Sequence, residues 1–214
     1  MPPKIIFTKE QIIDSAFEIF KKEGIESISV RKLASKLGSS TAPIYTSFNN
    51  IQDIKKQLME KSLILLLSYT EKEYTKGIFL NIGVGMLEFA RDYKIVYRTL
   101  FINTNEYQYI LKEFNEINVQ QMKKEKRLDI FGETELRSIL ETMYVFTHGL
   151  ASFLCSGMLE DDSKEYFIRM LNEVGGAIMA AYAYKRGSFE EFMNSSEERG
   201  CQDEKNYSDK WDSR

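Results

Sequence analysis

Only three of the 214 residues are proline, and two of these are Pro2 and Pro3. Pro43 is the single internal one. Proline lacks a backbone N–H and clashes with the preceding helical turn, so a chain nearly free of it is open to long uninterrupted helices. Strand signals are weak. No Asn-Gly or Asp-Gly pair occurs, and no segment keeps a sustained alternation of apolar and polar residues. The expected fold class is all-α.

The chain is long enough for one large domain or two small ones. With 43% hydrophobic and 29% charged residues it has the composition of a soluble globular protein rather than a disordered one. A net charge of −3 gives no global attraction to nucleic acid. The charge is uneven, however. Residues 1–56 hold nine basic and six acidic side chains, whereas 187–214 hold four basic and eight acidic ones. The basic end could face an anion, although an excess of three charges is small enough to arise by chance. Cys155 and Cys201 do not make a disulfide framework in a chain this size. Cys155 reads as a reduced core residue and Cys201 as part of a polar tail. The opening stretch MPPKIIFTKEQ lacks the apolar core of a signal peptide, and apolar runs such as Leu63 to Leu67 are too short to span a membrane. The expected location is a reducing cytoplasm, with no membrane partner.

Thr8 and Gln11 have the spacing of a capping box, and Ile12, Ile13, Ala16, Phe17 and Phe20 then form one apolar stripe that stops at Gly24. Ser29 is placed to cap a shorter helix with Val30, Leu33, Ala34 and Leu37 on its apolar face, ended by Gly38. Ser40 is the expected cap of a third short helix, Thr41 to Phe48. There Pro43 falls in the first turn, where a missing N–H costs little. Asn49 and Asn50 break the chain before a long helix expected over 51–76. Further helices are expected over 77–93, 94–101, 107–126, 133–158 and 163–185, the last capped by Asp161 and Asp162. The resulting organisation is a small unit over 1–50, a helical body over 51–187 and a disordered polar tail over 188–214.

Two short helices joined by a tight glycine turn, with the second opening on Ser-Ser-Thr, describe a helix-turn-helix. The second helix of such a motif enters the DNA major groove by its N-terminus. Small residues allow close approach there, and hydroxyls donate to phosphates and base edges. A plain interhelical loop explains the periodicity alone equally well.

The order and spacing of Ile13, Ala16, Phe20, Gly24, Ser29-Val30-Arg31, Leu33-Ala34, Leu37-Gly38, Ser40, Ala42, Ile44-Tyr45, Phe48 and Ile54 go further. On these residues the segment 8–58 resembles the DNA-binding domain of the tetracycline-repressor (TetR) family of transcriptional regulators. The resemblance covers about a quarter of the chain. It implies double-stranded operator DNA as partner, with Ser39, Ser40, Thr41, Ala42, Pro43 and Thr46 against the duplex, Tyr45 on a phosphate, and Ser29 and Arg31 on the backbone beside the groove. Ile51 stands where many members carry a lysine, and Lys55 and Lys56, one turn on, are the candidate replacements. No Arg, Lys, Asn or Gln lies between Thr41 and Phe48. Bidentate base reading is therefore unavailable from that helix, which leaves methyl contacts, hydroxyls and DNA shape.

Beyond residue 58, Thr147-His148-Gly149-Leu150-Ala151 and the stretches Phe89-Ala90 and Tyr97-Arg98-Thr99-Leu100-Phe101 look similar to ligand-domain segments of some members. The resemblance implies a small-molecule effector, apolar or aromatic, held among Met86, Phe89, Tyr93, Tyr97, Phe101, Phe114, Met122, Tyr144 and His148. Plain core packing is the competing account of these aromatics, and a hydrogen-bonded, partly buried residue that of His148. The resemblance also implies a homodimer through the last two long helices, where Ala151, Ser152, Gly157, Gly175, Gly176, Ala177, Ala180 and Ala181 permit close contact. Packing within one chain is the alternative. No acid/base dyad, phosphate loop or nucleophile motif is present, and a lone histidine makes a poor metal site. No catalytic residue, cofactor or metal is expected. The functional expectation is a ligand-responsive, homodimeric repressor. A second reading is an all-helical binding module or enzyme that does not bind DNA.

Overall fold

The computed structural model describes residues 7–102 and 108–200. Ten α-helices account for most of these, and no strand occurs among the described residues. Helix α1 (Lys9–Glu23) opens on the capping box: Thr8 Oγ1 accepts from Gln11 N at 3.1 Å and Gln11 Oε1 accepts from Thr8 N at 2.9 Å. Its stripe buries Ile12, Ile13, Ala16, Phe17, Ile19 and Phe20. After a single 3-10 turn at Ile25–Ser27 come α2 (Val30–Lys36), α3 (Ala42–Ser47) and α4 (Ile51–Thr70). Ile25, Ile28, Leu33, Ala34, Ile44, Phe48, Ile54 and Leu58 are buried with the α1 stripe in one hydrophobic core.

The remaining helices are α5 (Ile78–Asp92), α6 (Lys94–Phe101), α7 (Gln108–Met122), α8 (Glu133–Ser156), α9 (Lys164–Arg186) and α10 (Phe189–Gly200). Helix α5 is the hub of the body, in contact with α4, α6, α7, α8 and α9. Two of its glycines make this possible. A Cβ on Gly85 would lie 2.5 Å from the Tyr69 carbonyl oxygen and 2.6 Å from Thr70 Cα, so α4 and α5 touch backbone to backbone. A Cβ on Gly83 would lie 3.0 Å from a Leu171 methyl on α9.

Four expectations about element ends need correction, besides α7, which closes at Met122 rather than residue 126. Ser40 does not cap α3. The N-cap is Thr41, without a side-chain hydrogen bond, and the helix begins one residue later than expected. Helix α4 stops at Thr70 rather than residue 76. The Asn81 side chain accepts from Thr75 N at 2.7 Å and donates to Thr75 O at 3.0 Å, supplying the turn with hydrogen bonds that a continued helix would have made internally. Ser163, not the aspartates, caps α9 by accepting from Tyr166 N, while Asp161 accepts from Ser163 N.

The fourth correction concerns the polar tail. Residues 189–200 form α10 where disorder was expected, because Phe192 is buried beside Phe131, their ring centroids 6.1 Å apart. Residues 201–214 of the expected tail, Cys201 among them, lie outside the described residues, as does Tyr107. The body otherwise buries its stripes as the periodicity predicts.

Gly85→Ala is expected to cost about 3 kcal/mol, the upper part of the range for overpacking, because the atom it meets is backbone and cannot rotate away. A shift of the urea midpoint without change in slope checks this.

Candidate nucleic-acid interface and internal cavity

The α2–α3 turn is set by hydrogen bonds. Gly38 sits at φ +62°, in the left-handed region. Ser39 N donates to Ala34 O at 3.0 Å and Gly38 N to Ser35 O at 3.1 Å, the paired bonds of a Schellman stop. Ser29 caps the other end of α2 by accepting from Lys32 N at 3.3 Å. Helix α3 is then fastened from below by Ile44 and Phe48, both buried. Its other side faces outward: Ser40, Ala42, Tyr45 and Thr46 are exposed, and Ser39, Thr41 and Pro43 are half-exposed. Tyr45 is 59% exposed, high for an aromatic residue with no structural task. Ser29 and Arg31 are exposed at the start of α2.

Two expected contacts are spoken for inside the protein. Thr46 Oγ1 donates to Ala42 O at 3.0 Å. Lys55 Nζ lies 3.0 Å from Glu26 Oε2, and its side chain is only 13% exposed, so it is not a free cation beside the motif. Lys56, its neighbour, is exposed. The pairing joins residues 29 apart in sequence, beyond reach of any local spacing argument.

Between α5, α7, α8 and α9 lies a cavity, open at its mouth, with only about 30 Å³ of free interior space. Met86, Phe114 and Tyr144 line it as expected, with Met143 and Met179 adding flexible apolar surface. Phe89, Tyr93, Tyr97, Phe101, Met122 and His148 do not line it. Phe89 and Met122 are plain core. Tyr93 packs with Phe89 and Tyr69 where α4 meets α5. Tyr97, Phe101 and His148 form an aromatic cluster that reaches the cavity through Tyr144, whose ring stacks on His148 at 6.0 Å, and through Phe114, 6.2 Å from the Phe101 ring. His148 Nδ1 shares a 2.9 Å hydrogen bond with the Tyr97 hydroxyl. Burial holds the His148 pKa below its ordinary value and pushes that of Tyr97 well up, so both groups stay neutral.

The polar lining was not anticipated. Asn118, Arg127, Thr147 and Asn172 all border the cavity. Arg127 is paired with Glu125, whose other oxygen accepts from Phe79 N at 2.8 Å. One clue to Asn118 was in the sequence. Ile110, Phe114, Asn118 and Met122 recur every fourth residue along α7 and all four are buried, so a polar residue occupies a core register.

Among the described residues no group of three or more His, Cys, Asp or Glu is arranged to hold a metal ion, and no helix is long and apolar enough to cross a membrane.

Residues 12–58 match the family model described as bacterial regulatory proteins, tetR family. Over 95 residues the chain is 28% identical to a Bacillus subtilis (strain 168) protein named uncharacterized HTH-type transcriptional regulator YobS. The match takes in 42% of this chain and 49% of that one, so the chain spans about half the length of this relative. A tetR-family transcriptional regulator from Streptomyces coelicolor, solved by crystallography, superposes with a TM-score of 0.71 at 12% identity, covering 87% of this chain and 86% of the other. That likeness extends the shared fold through the helical body.

Gly38→Ala is expected to cost roughly 1–2 kcal/mol from backbone strain alone, since no atom lies within 4 Å of the added methyl. Chemical denaturation gives the value. His148 should make stability fall with acid. Its pKa is lowered in the folded state, so the unfolded chain takes up the proton first. Stability is full above the ordinary value of 6.5 and declines as pH drops through and below it. His148→Gln should flatten that part of the stability–pH curve.

Proposed function

We propose, from the premise that the chain belongs to the TetR family, that it is a homodimeric DNA-binding transcriptional repressor released from a palindromic operator by a small apolar molecule. The chain divides functionally into a DNA-binding head over 1–50 and an effector-binding and dimerising body over 51–187. The observation that carries the reading is the α2–α3 motif. Its buried side is fixed by Ile44 and Phe48, while its outward side offers Ser40, Ala42 and Tyr45 with no charge to repel or misdirect a duplex.

The mechanism is linkage. Two recognition helices must meet major grooves one helical turn apart, about 34–36 Å, or a multiple of that. Helix α4 runs from the head into the body, and α1 also packs on α6. A ligand that binds better to a body in which α4 holds the heads at another separation must weaken DNA binding by the same factor. Helices α8 and α9 supply the dimer surface. On α8, Thr142, Val145, Gly149, Phe153 and Ser156 are exposed in one uncharged row. On α9 no charged residue occurs from Val174 to Tyr184, and Ala177, Ala181 and Tyr184 are exposed. The small residues divide between two tasks: Ala151 and Gly175 are buried within the chain, whereas Gly149, Ala177 and Ala181 face outward.

Binding to the chain's own upstream DNA should fall steeply with salt. Arg31→Ala should lower the slope of log K against log salt by about 1 per bound chain, the signature of a lost phosphate contact. Tyr45→Phe should weaken binding with little change in slope. Lys55→Ala should leave the slope unchanged, because that lysine is already paired with Glu26. Absence of salt-dependent binding to any fragment would favour the helical-module reading. Val145→Glu with Ala181→Glu should give monomers in sedimentation and abolish operator binding.

A further inference from the structure

The cavity contains one group that the protein leaves unanswered. Asn118 is 1% exposed, and neither its Oδ1 nor its Nδ2 has a hydrogen-bond partner within the chain. Its neighbours along the α7 row, Phe114 and Met122, are apolar, and it shares the cavity lining with Met143 and Leu171. A buried amide without partners is costly, since nearly all such groups in native proteins are hydrogen-bonded. An apolar residue of the same size would fill the site without that cost. Asn118 must therefore be met from outside the chain, by solvent entering the cavity or by a ligand.

The charge of the cavity narrows the ligand. Its one cationic lining residue, Arg127, is neutralised by Glu125. The rest of the wall is apolar or uncharged. A charged ligand would be desolvated there without a counter-charge. The Asn118 amide presents one acceptor and one donor side by side. Its complement is a donor next to an acceptor on an otherwise apolar body.

We propose that Asn118 is the specificity-determining residue of the effector cavity and that the effector is a neutral, largely apolar molecule bearing a cis-amide or lactam edge, paired to Asn118 by two hydrogen bonds. The inference rests on reading this cavity as the effector site. It goes beyond that reading by naming the residue that selects and the group selected. Met86, Met143 and Met179 must swing aside to admit the apolar body, because the cavity holds only about 30 Å³ of free space, while Asn118 fixes its orientation.

Three bicyclic probes of similar size separate the contributions: quinolin-2(1H)-one has the full lactam edge, its N-methyl derivative lacks the donor, and naphthalene lacks both groups. Calorimetric titration of the intact protein should show quinolin-2(1H)-one binding about tenfold or more tighter than either of the others. Asn118→Leu should remove that advantage while leaving naphthalene within about twofold. The same substitution should raise the melting temperature of the free protein, because it deletes an unmatched buried amide, whereas a structural asparagine would lower it.

Equal affinity for all three probes in the unmodified protein would overturn the proposal, and would mean that solvent alone meets Asn118. This comparison does not depend on the variant folding. A lower melting temperature in Asn118→Leu, with equal loss of every probe, would overturn it too by making the residue structural. Failure of all three probes to bind any form would remove the effector-site reading along with it.

Discussion

The rest of the molecule depends on the contact between the last turn of α4 and the middle of α5. Helix α4 contributes Ile54 and Leu58 to the core under the helix-turn-helix, and Tyr69 and Thr70 to the body. At Gly85 the two backbones meet without an intervening side chain. Tyr69 then reaches along α5, its hydroxyl donating to Asp92 at 2.7 Å and its ring packing edge-on against Phe89 and Tyr93. Packed interiors yield in discrete steps rather than continuously, so in the proposed mechanism a helix held this tightly carries a shift at α5 to its far end. The cavity is lined by Phe79, Ile82, Gly83 and Met86 of the same α5. One helix therefore faces both the cavity and α4.

A second tie joins head to body. Helix α1 carries Asp14, which pairs with Lys61 of α4 at 2.7 Å, and Lys21, whose ammonium lies 6.0 Å from the Tyr93 ring centre. The exposed pair adds little energy by itself. Its value is geometric, because it sits on the same surface as the buried contacts of Phe17 and Phe20 and limits how α1 can rotate. In the proposed mechanism the head moves as a unit with α4, and the hinge lies in the body.

Local signals were legible in the sequence where chemistry is local. The Thr8–Gln11 box, Ser29, Gly24 and Gly38 each act within four residues, and their roles could be read from spacing. Signals that depend on distant partners could not. Helix α4 ends where Asn81 competes for the backbone of Thr75, Lys55 is engaged by a glutamate 29 residues away, and α10 exists because Phe192 finds Phe131. The cavity was half legible for the same reason. Aromatic and methionine side chains mark apolar interior, but not which interior is hollow, so Met86, Phe114 and Tyr144 were separable from Phe89 and Met122 only in three dimensions. Asn118 was not legible because an asparagine at a core register reads as a solvent-facing residue until the burial of its neighbours on all sides is known.

The central claim is that two copies of the chain present two recognition helices to one duplex. Hydroxyl-radical footprinting on the upstream DNA tests it most directly, because it reads the geometry of the bound heads rather than affinity alone. The account predicts protected patches related by two-fold symmetry and centred one helical turn, or a multiple, apart on one face of the duplex. A single patch, or uniform protection without symmetry, would contradict it.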